Sequence, residues 1–463
     1  MSIIAPKRRG GIRVRDDAGA PLVMRPYLNA GTNLSAADDG TQIVLNAVGG
    51  GGGSYPGTIL SPSGGDDTAA VQNALNTIAS GGHRELVIDG MLSVPNGGLT
   101  YDGPAFSMRG LGRNASGFTM SSTTAMLLTI GTSTSYAGRH LISNLTFVGP
   151  QGGLAGVSTQ TSGGGLLMAA GGSESLITNC QFLGLYESIY LGGGNQQVTI
   201  KGCEFFSGGH SYVTVALNQS GGSSPGGGIS TYGGGYGSEF WIDGCSMYGG
   251  GGFGPGAVTN GIKWIATDAG HITGNSIVAC GTGINFSPVA ARQPENGVGI
   301  VSHNIISDNS VRGVYINGTS YQWSKMLFST NHHCYNGIGI EVAGANTNGI
   351  NFNGEVIHCN GTIGLKIGSG AKNIFLRDSM VNGNPTCGVD IASGVTDFHI
   401  TNNRITSGNF SSPAAATQNY GIRYGGSHDN CIIIGNDLRG NATAATTGTA
   451  PTASSTVVVA NNI

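Results

Sequence analysis

The chain has 463 residues, with 84 glycines, 39% hydrophobic and 10% charged residues and a formal net charge of -3. The hydrophobic share is too high for a disordered chain, and the glycines lack a collagen period, which leaves a folded, turn-dense β protein. Near-neutral charge gives no basic field for nucleic acid, and no apolar run approaches the roughly 18 residues of a membrane span.

In chain order, "MSIIAPKRRGGIRVRDD" (1–17) is basic without an apolar stretch behind it, so it does not read as a secretory signal and folding in a cytoplasm is expected. "IRVRDDAGAPLVM" (12–24) reads as a hairpin around Asp16, Asp17, Ala18 and Gly19. "GGGGGS" (49–54) reads as a flexible linker, which sets off residues 1–53 as a small β module. The segment "GGDDTAAVQNALNTIAS" (64–80) predicts a helix. Asp66, Asp67 and Thr68 suit its N-cap, and Val71, Ala74, Leu75 and Ile78 form one apolar face. Gly81 and Gly82 stop it. A helix of about three turns is marginal alone and must pack on something.

From residue 140 a six-residue phrase recurs, as in "ISNLTF" (142–147), "ITNCQF" (177–182), "ITGNSI" (272–277) and "ITNNRI" (400–405). Late copies start at 301, 328, 352, 376 and 400, stepping by 27 and then 24 residues. A second phrase, glycine-apolar-any-apolar, follows about ten residues on, as in "GVYI" (313–316), "GIEV" (339–342), "GLKI" (364–367) and "GVDI" (388–391). Short strands repeating at this period predict a parallel β-helix whose coils stack at about 4.8 Å. Residues 54–139 supply the capping helix and first coils, and 140–463 the β-helix proper. The fourth position of the first phrase forms a column, with Cys180, Cys203 and Cys245 followed by Asn275, Asn304 and Asn331, and then Glu355. Stacked asparagines there can bond along the column, and the cysteines read as buried thiols. The eight cysteines include no CxxC pair, which argues against a zinc site or a disulfide framework. No metal and no cofactor are expected.

"GGDDTAAVQNALN", "ELVIDGMLSV" and "FSMRGLGRNASGFTM" resemble the entry helix and first coils of the pectate-lyase-like right-handed parallel β-helices. The resemblance covers roughly residues 60–463 and specifies fold better than activity. The polygalacturonase-type motifs are absent, and "GGHSY" (208–212) does not replace them. "RPYLNAGTNLSAADDGTQIVLNA" (25–47) is similar to a segment of phage tail proteins. Together these resemble a bacteriophage tailspike or fibre. That implies a homotrimer on the virion tail, joined to a tail or baseplate protein through residues 1–53 and contacting host surface polysaccharide. The chain ends soon after its last coil, so a trimer would be held by the N-terminal module or by β-helix faces.

Phage β-helices that cut glycans use paired carboxylates, which points to Glu341 and Asp390, two rungs apart on the outward side of the second phrase. Their column reads Asn285, Tyr315, Glu341, Lys366, Asp390, Arg423, so a surface ion-pair stripe is the alternative. Glu239 and Asp243, near Glu204, form a second acidic neighbourhood. Trp241, Trp264, Tyr315 and Arg423 are candidate sugar-binding residues. Asp308 and Arg312 share a turn after a coil. His332 and His333 point to opposite faces of a strand, and His333 falls in the inward column. Three functions stay open: a glycan-binding tail appendage, a polysaccharide depolymerase (glycosidase or lyase), and a structural virion protein.

Overall fold

The computed structural model describes residues 34–38, 43–47, 57–81, 84–131, 138–150, 162–168, 174–192, 197–216, 240–249, 258–265, 270–287, 299–320, 322–407, 417–426, 428–448 and 457–463. The chain divides into two compact units, Met1–Pro56 and Gly57–Ile463. In the first, strands Leu34–Asp38 and Ile43–Ala47 pair antiparallel. The hairpin expected at 12–24 and the linker at 49–54 lie outside the described residues.

The second unit is a right-handed parallel β-helix with sheets of 15, 12 and 13 strands. The terminal coils give fewer strands, and each complete coil gives one strand to each sheet. One runs through Thr347–Asn353, Val356–His358 and Ile363–Ile367, and the next through Lys372–Arg377, Met380–Asn382 and Cys387–Ile391. Ile350 pairs with Ile374, Ile357 with Val381 and Leu365 with Val389, so the 24-residue period is one coil. The first phrase spans the corner between the first and second sheets. Its third position takes the left-handed conformation at Asn144, Asn179, Gly202, Gly244, Gly274, Gly354, Asp378, Asn402 and Gly435, which explains the preference there for glycine, asparagine and aspartate, and His303 and Thr330 adopt it in the two remaining coils.

The inward columns form the core. Phe147 stacks on Phe182, and Phe182 on Phe205, with centroids 4.8 and 5.1 Å apart. Cys180, Cys203 and Cys245 are buried free thiols in one column. Below them the amide of Asn275 donates to Asn304 Oδ1 at 2.9 Å, Asn304 to Asn331 at 2.8 Å, and Asn331 to Glu355. The ladder resumes from Asn403 through Asn436 to Asn462. A second ladder, absent from the expectations, lines the next corner through Asn309, Asn336, Asn360, Asn384 and Gln418. Each amide satisfies corner backbone that the strands leave unpaired. His333 is fully buried, with Nε2 2.7 Å from Glu355 Oε2.

Helix α1, Thr68–Ala79, closes the N-terminal end with Val71, Ala74, Leu75 and Ile78 buried. Of its two aspartates, Asp67 does not act as expected. Asp67 stands at the N-cap without a side-chain bond to the helix. Its carboxylate instead accepts the backbone N–H groups of Ser63 and Ser93, both at 2.9 Å, and so ties the first strand of the second sheet. Asp66 Oδ1 accepts the Thr68 N–H. The Gln72 side chain exchanges two hydrogen bonds with the backbone of Thr100, on the first strand of the third sheet. The cap thus pairs exposed sheet edges as well as covering the core.

Candidate functional site

The third-sheet strands turn alternate residues outward. One outward column runs Tyr190, Thr214, Lys263, Asn285, Tyr315, Glu341, Lys366, Asp390, Arg423, each paired with the next. The order expected for the second phrase is therefore the rung order. Lys366 Nζ donates to Glu341 Oε1 at 2.8 Å, and Arg312 Nε donates to Glu341 Oε2. Arg423 holds Asp390 through two bonds of 2.8 and 2.6 Å. Burial alone would raise the Glu341 carboxyl, but the hydrogen bonds and charges of Lys366 and Arg312 outweigh it and hold it below the usual carboxylate range. The Arg312 guanidinium lies 4.2 Å from the Tyr315 ring centroid.

Glu341, Asp390, Tyr315 and Arg423 thus share one face. Both carboxylates are occupied as acceptors, which is the ion-pair stripe given as the alternative. The pairing has a direction. The Glu341 and Asp390 side chains are 9% and 14% exposed, while Arg312, Lys366 and Arg423 are 29%, 38% and 39% exposed. The cations lie outermost.

In the second acidic neighbourhood, Asp243 and Glu204 stand on different sheets. Glu239 lies outside the described residues. Asp243 stands on the first sheet, 3.1 Å from Lys201 Nζ, and Glu204 on the second sheet, paired with Arg113. Trp241 stacks on His271 of the next coil. Trp264 is a correction. It is 2% exposed and packs between Phe240 and Phe286, so its ring cannot receive a sugar. The reason is parity: in the strand Asn260–Ile265 it follows outward Lys263 by one residue.

One cluster on the same face escaped the sequence reading. His210 Nδ1 lies 2.6 Å from Glu187 Oε1, and the Thr214 hydroxyl donates to Glu187 Oε2 at 2.5 Å. The His210 ring stacks on Tyr186, with centroids 5.1 Å apart. Glu187 is buried and Ser211, next to His210, is its strand partner on the following coil. Burial and the Glu187 carboxylate push the neighbouring Tyr190 hydroxyl up to about 12. The contact engages Nδ1 of His210, which also lies 3.1 Å from the Ser211 hydroxyl, and leaves Nε2 outside the pair. The available signal was "ESIYL" and "SYVTVA" on successive coils, each opening the strand of the second phrase without its glycine.

Among the described residues, no helix is long and apolar enough to cross a membrane. Residues 164–353 match a family model described as a right handed beta helix region. No similar sequence is found among curated proteins. Among solved structures, the chain is similar to tailspike protein 3 of bacteriophage CBA120, with 12% identity, a TM-score of 0.55 and 86% of this chain covered. The match spans 59% of that tailspike's length. The A-module of the mannuronan C-5 epimerase AlgE4 from Azotobacter vinelandii matches 83% of this chain and 96% of its own, at 15% identity and a TM-score of 0.44. The catalytic domain of a GH87 alpha-1,3-glucanase matches 91% of this chain and 71% of its own, at 11% identity and a TM-score of 0.48. At these identities the likeness is one of fold: the chain is a right-handed parallel β-helix, with a phage tailspike among its structural neighbours.

Proposed function

We propose that this β-helix is a bacteriophage tail appendage that binds an anionic host-surface polysaccharide along the outer face of its third sheet. The observation that carries this reading is the charge on that face. Over the strands Asn260–Ile265 to Tyr420–Tyr424, four cations, Lys263, Arg312, Lys366 and Arg423, stand against two carboxylates, Glu341 and Asp390. The two carboxylates lie beneath the cations that pair with them. A chain of net charge -3 thus presents a row of outward donors on every second coil, about 9.6 Å apart at about 4.8 Å per coil, suited to carboxylates or other acidic groups on a repeating glycan. In this reading residues 1–53 join a tail or baseplate protein and the assembly is a homotrimer. The similarity of residues 25–47 to phage tail segments and the tailspike fold likeness support both.

Binding of labelled acidic and neutral capsular polysaccharides, measured by fluorescence anisotropy at two salt concentrations, tests this. Acidic glycans should bind with salt-sensitive affinity, and K366A/R423A should weaken them about ten-fold or more. Equal binding of neutral glycans, or unchanged affinity in the double variant, would sink the proposal. The Glu187–His210 pair favours a second reading, cleavage of the bound glycan with His210 Nε2 as general base. Product release tests it separately from binding.

A further inference from the structure

The outer face of the second sheet carries a different kind of site. His332–Cys334 and Val356–His358 are its strands on consecutive coils, with Cys334 paired to His358. His332 and Cys334 are two residues apart and face the same way, while His333 between them points inward to Glu355. The expectation that His332 and His333 diverge therefore holds, and the partner of His332 comes from the next coil. The Nε2 atoms of His332 and His358 are 2.5 Å apart. Their centroids are 4.7 Å apart and the ring planes meet at 26°, so the two nitrogens are the facing edges of the rings. One ligand atom from each of His332, Cys334 and His358 lies within 4.8 Å of the other two.

From these three side chains we infer a binding site for a borderline-soft divalent transition-metal ion of the zinc class, held by His332 Nε2, His358 Nε2 and Cys334 Sγ. Imidazole with thiolate selects such ions over calcium or magnesium, which want oxygen. Tetrahedral ligands at about 2.0–2.1 Å place two nitrogens about 3.3 Å apart, so the imidazoles need part by less than an ångström. Cys334 and His358 are buried, His332 is half-buried, and the neighbouring Tyr335 is 52% exposed, so a fourth position is reachable from solvent. Binding would release the thiol proton to water and clip one coil to the next. The spacing, His-x-Cys and a histidine 24 residues after the cysteine, is one coil, and carries no CxxC signature.

The competing occupant is a proton shared between the two imidazoles. Chelator-treated full-length protein titrated with Co2+ separates the two. The expected result is saturation at one ion per chain with a sulfur-to-cobalt charge-transfer band, and displacement by Zn2+. Cys334→Ser should abolish the band, and His332→Gln or His358→Gln should weaken binding by more than about ten-fold, the loss that even an outer-shell partner produces. Circular dichroism checks that each variant keeps its fold, and the isosteric Cys334→Ser serves if a histidine variant does not. Absence of a saturable one-equivalent site would overturn the inference. So would unchanged binding in the His332→Gln/His358→Gln double variant.

Discussion

His210 Nδ1 lies 2.6 Å from Glu187 Oε1, across one coil step on the outer face of the third sheet. The contact orients the imidazole through Nδ1, and Tyr186 stacked on the ring holds its plane. If this pair cleaves the bound glycan, His210→Ala should cut product release by about 10²–10⁴-fold, the usual worth of a positioned base. Glu187→Gln should cut it less, since the imidazole remains. Both should leave anisotropy binding within a few-fold. Unchanged release in His210→Ala would remove the dyad from the chemistry.

Glu341 is the keystone of the ion-pair ladder, taking bonds from both Arg312 and Lys366. Glu341→Gln should cost about 1–3 kcal/mol at neutral pH, because two cations lose a shared buried counter-charge. The pH dependence has a fixed sign. The folded carboxyl sits below its unfolded value, so its stabilisation is complete above an unfolded pKa of about 4.3 and is lost as pH falls through the folded value. Denaturant midpoints between about pH 5 and 3 should therefore fall more steeply for the parent chain than for Glu341→Gln.

The Asn304 side chain holds four hydrogen bonds inside the corner ladder, two from Asn275 and one each to Ile272 O and Asn331 Oδ1. Asn304→Ala should destabilise by about 3 kcal/mol or more, because each buried group left unpaired costs about 1–3 kcal/mol. Asn304→Leu should give no rescue, since the loss is of polar partners rather than volume. Guanidinium unfolding midpoints and unfolding rates read this out.

Gly364 faces a different constraint. A Cβ there would lie 2.6 Å from the carbonyl oxygen of Gly388 and 2.8 Å from Asn384 Nδ2, and the same close approach to the next coil recurs at Gly313 and Gly339. Gly364→Ala should cost about 2 kcal/mol or more or yield insoluble protein, because a backbone carbonyl cannot give way. Gly65→Ala, with only Ser63 Oγ near at 3.9 Å, should be tolerated in thermal melts.

The glycine of the second phrase was legible as a letter in a repeat, but its cause was not. It makes room for the neighbouring coil, and nothing local to residue 364 shows that. The outward column from Asn285 to Arg423 was readable because strand parity and coil period together fix which residues meet. Trp264 was misplaced although its strand carries the second phrase as "GIKW" (261–264), whose fourth position points inward. The Glu187–His210 and His332–His358 pairs were hidden because each joins two coils across the outer surface. Pair distances there depend on rotamers that no periodicity encodes.

The sequence by itself determined the parallel β-helix, its 24-residue coil, its capping helix and the first of its asparagine columns. Each follows from side-chain alternation and repeat length, which are properties of the chain in one dimension. The tertiary structure decided that Asp67 ties a sheet edge instead of the helix end, that the cations of the third sheet lie above their carboxylates, and that His332 meets His358. Those outcomes depend on which side chain reaches farther into solvent and which coil lies beside which, and stacking in three dimensions sets both.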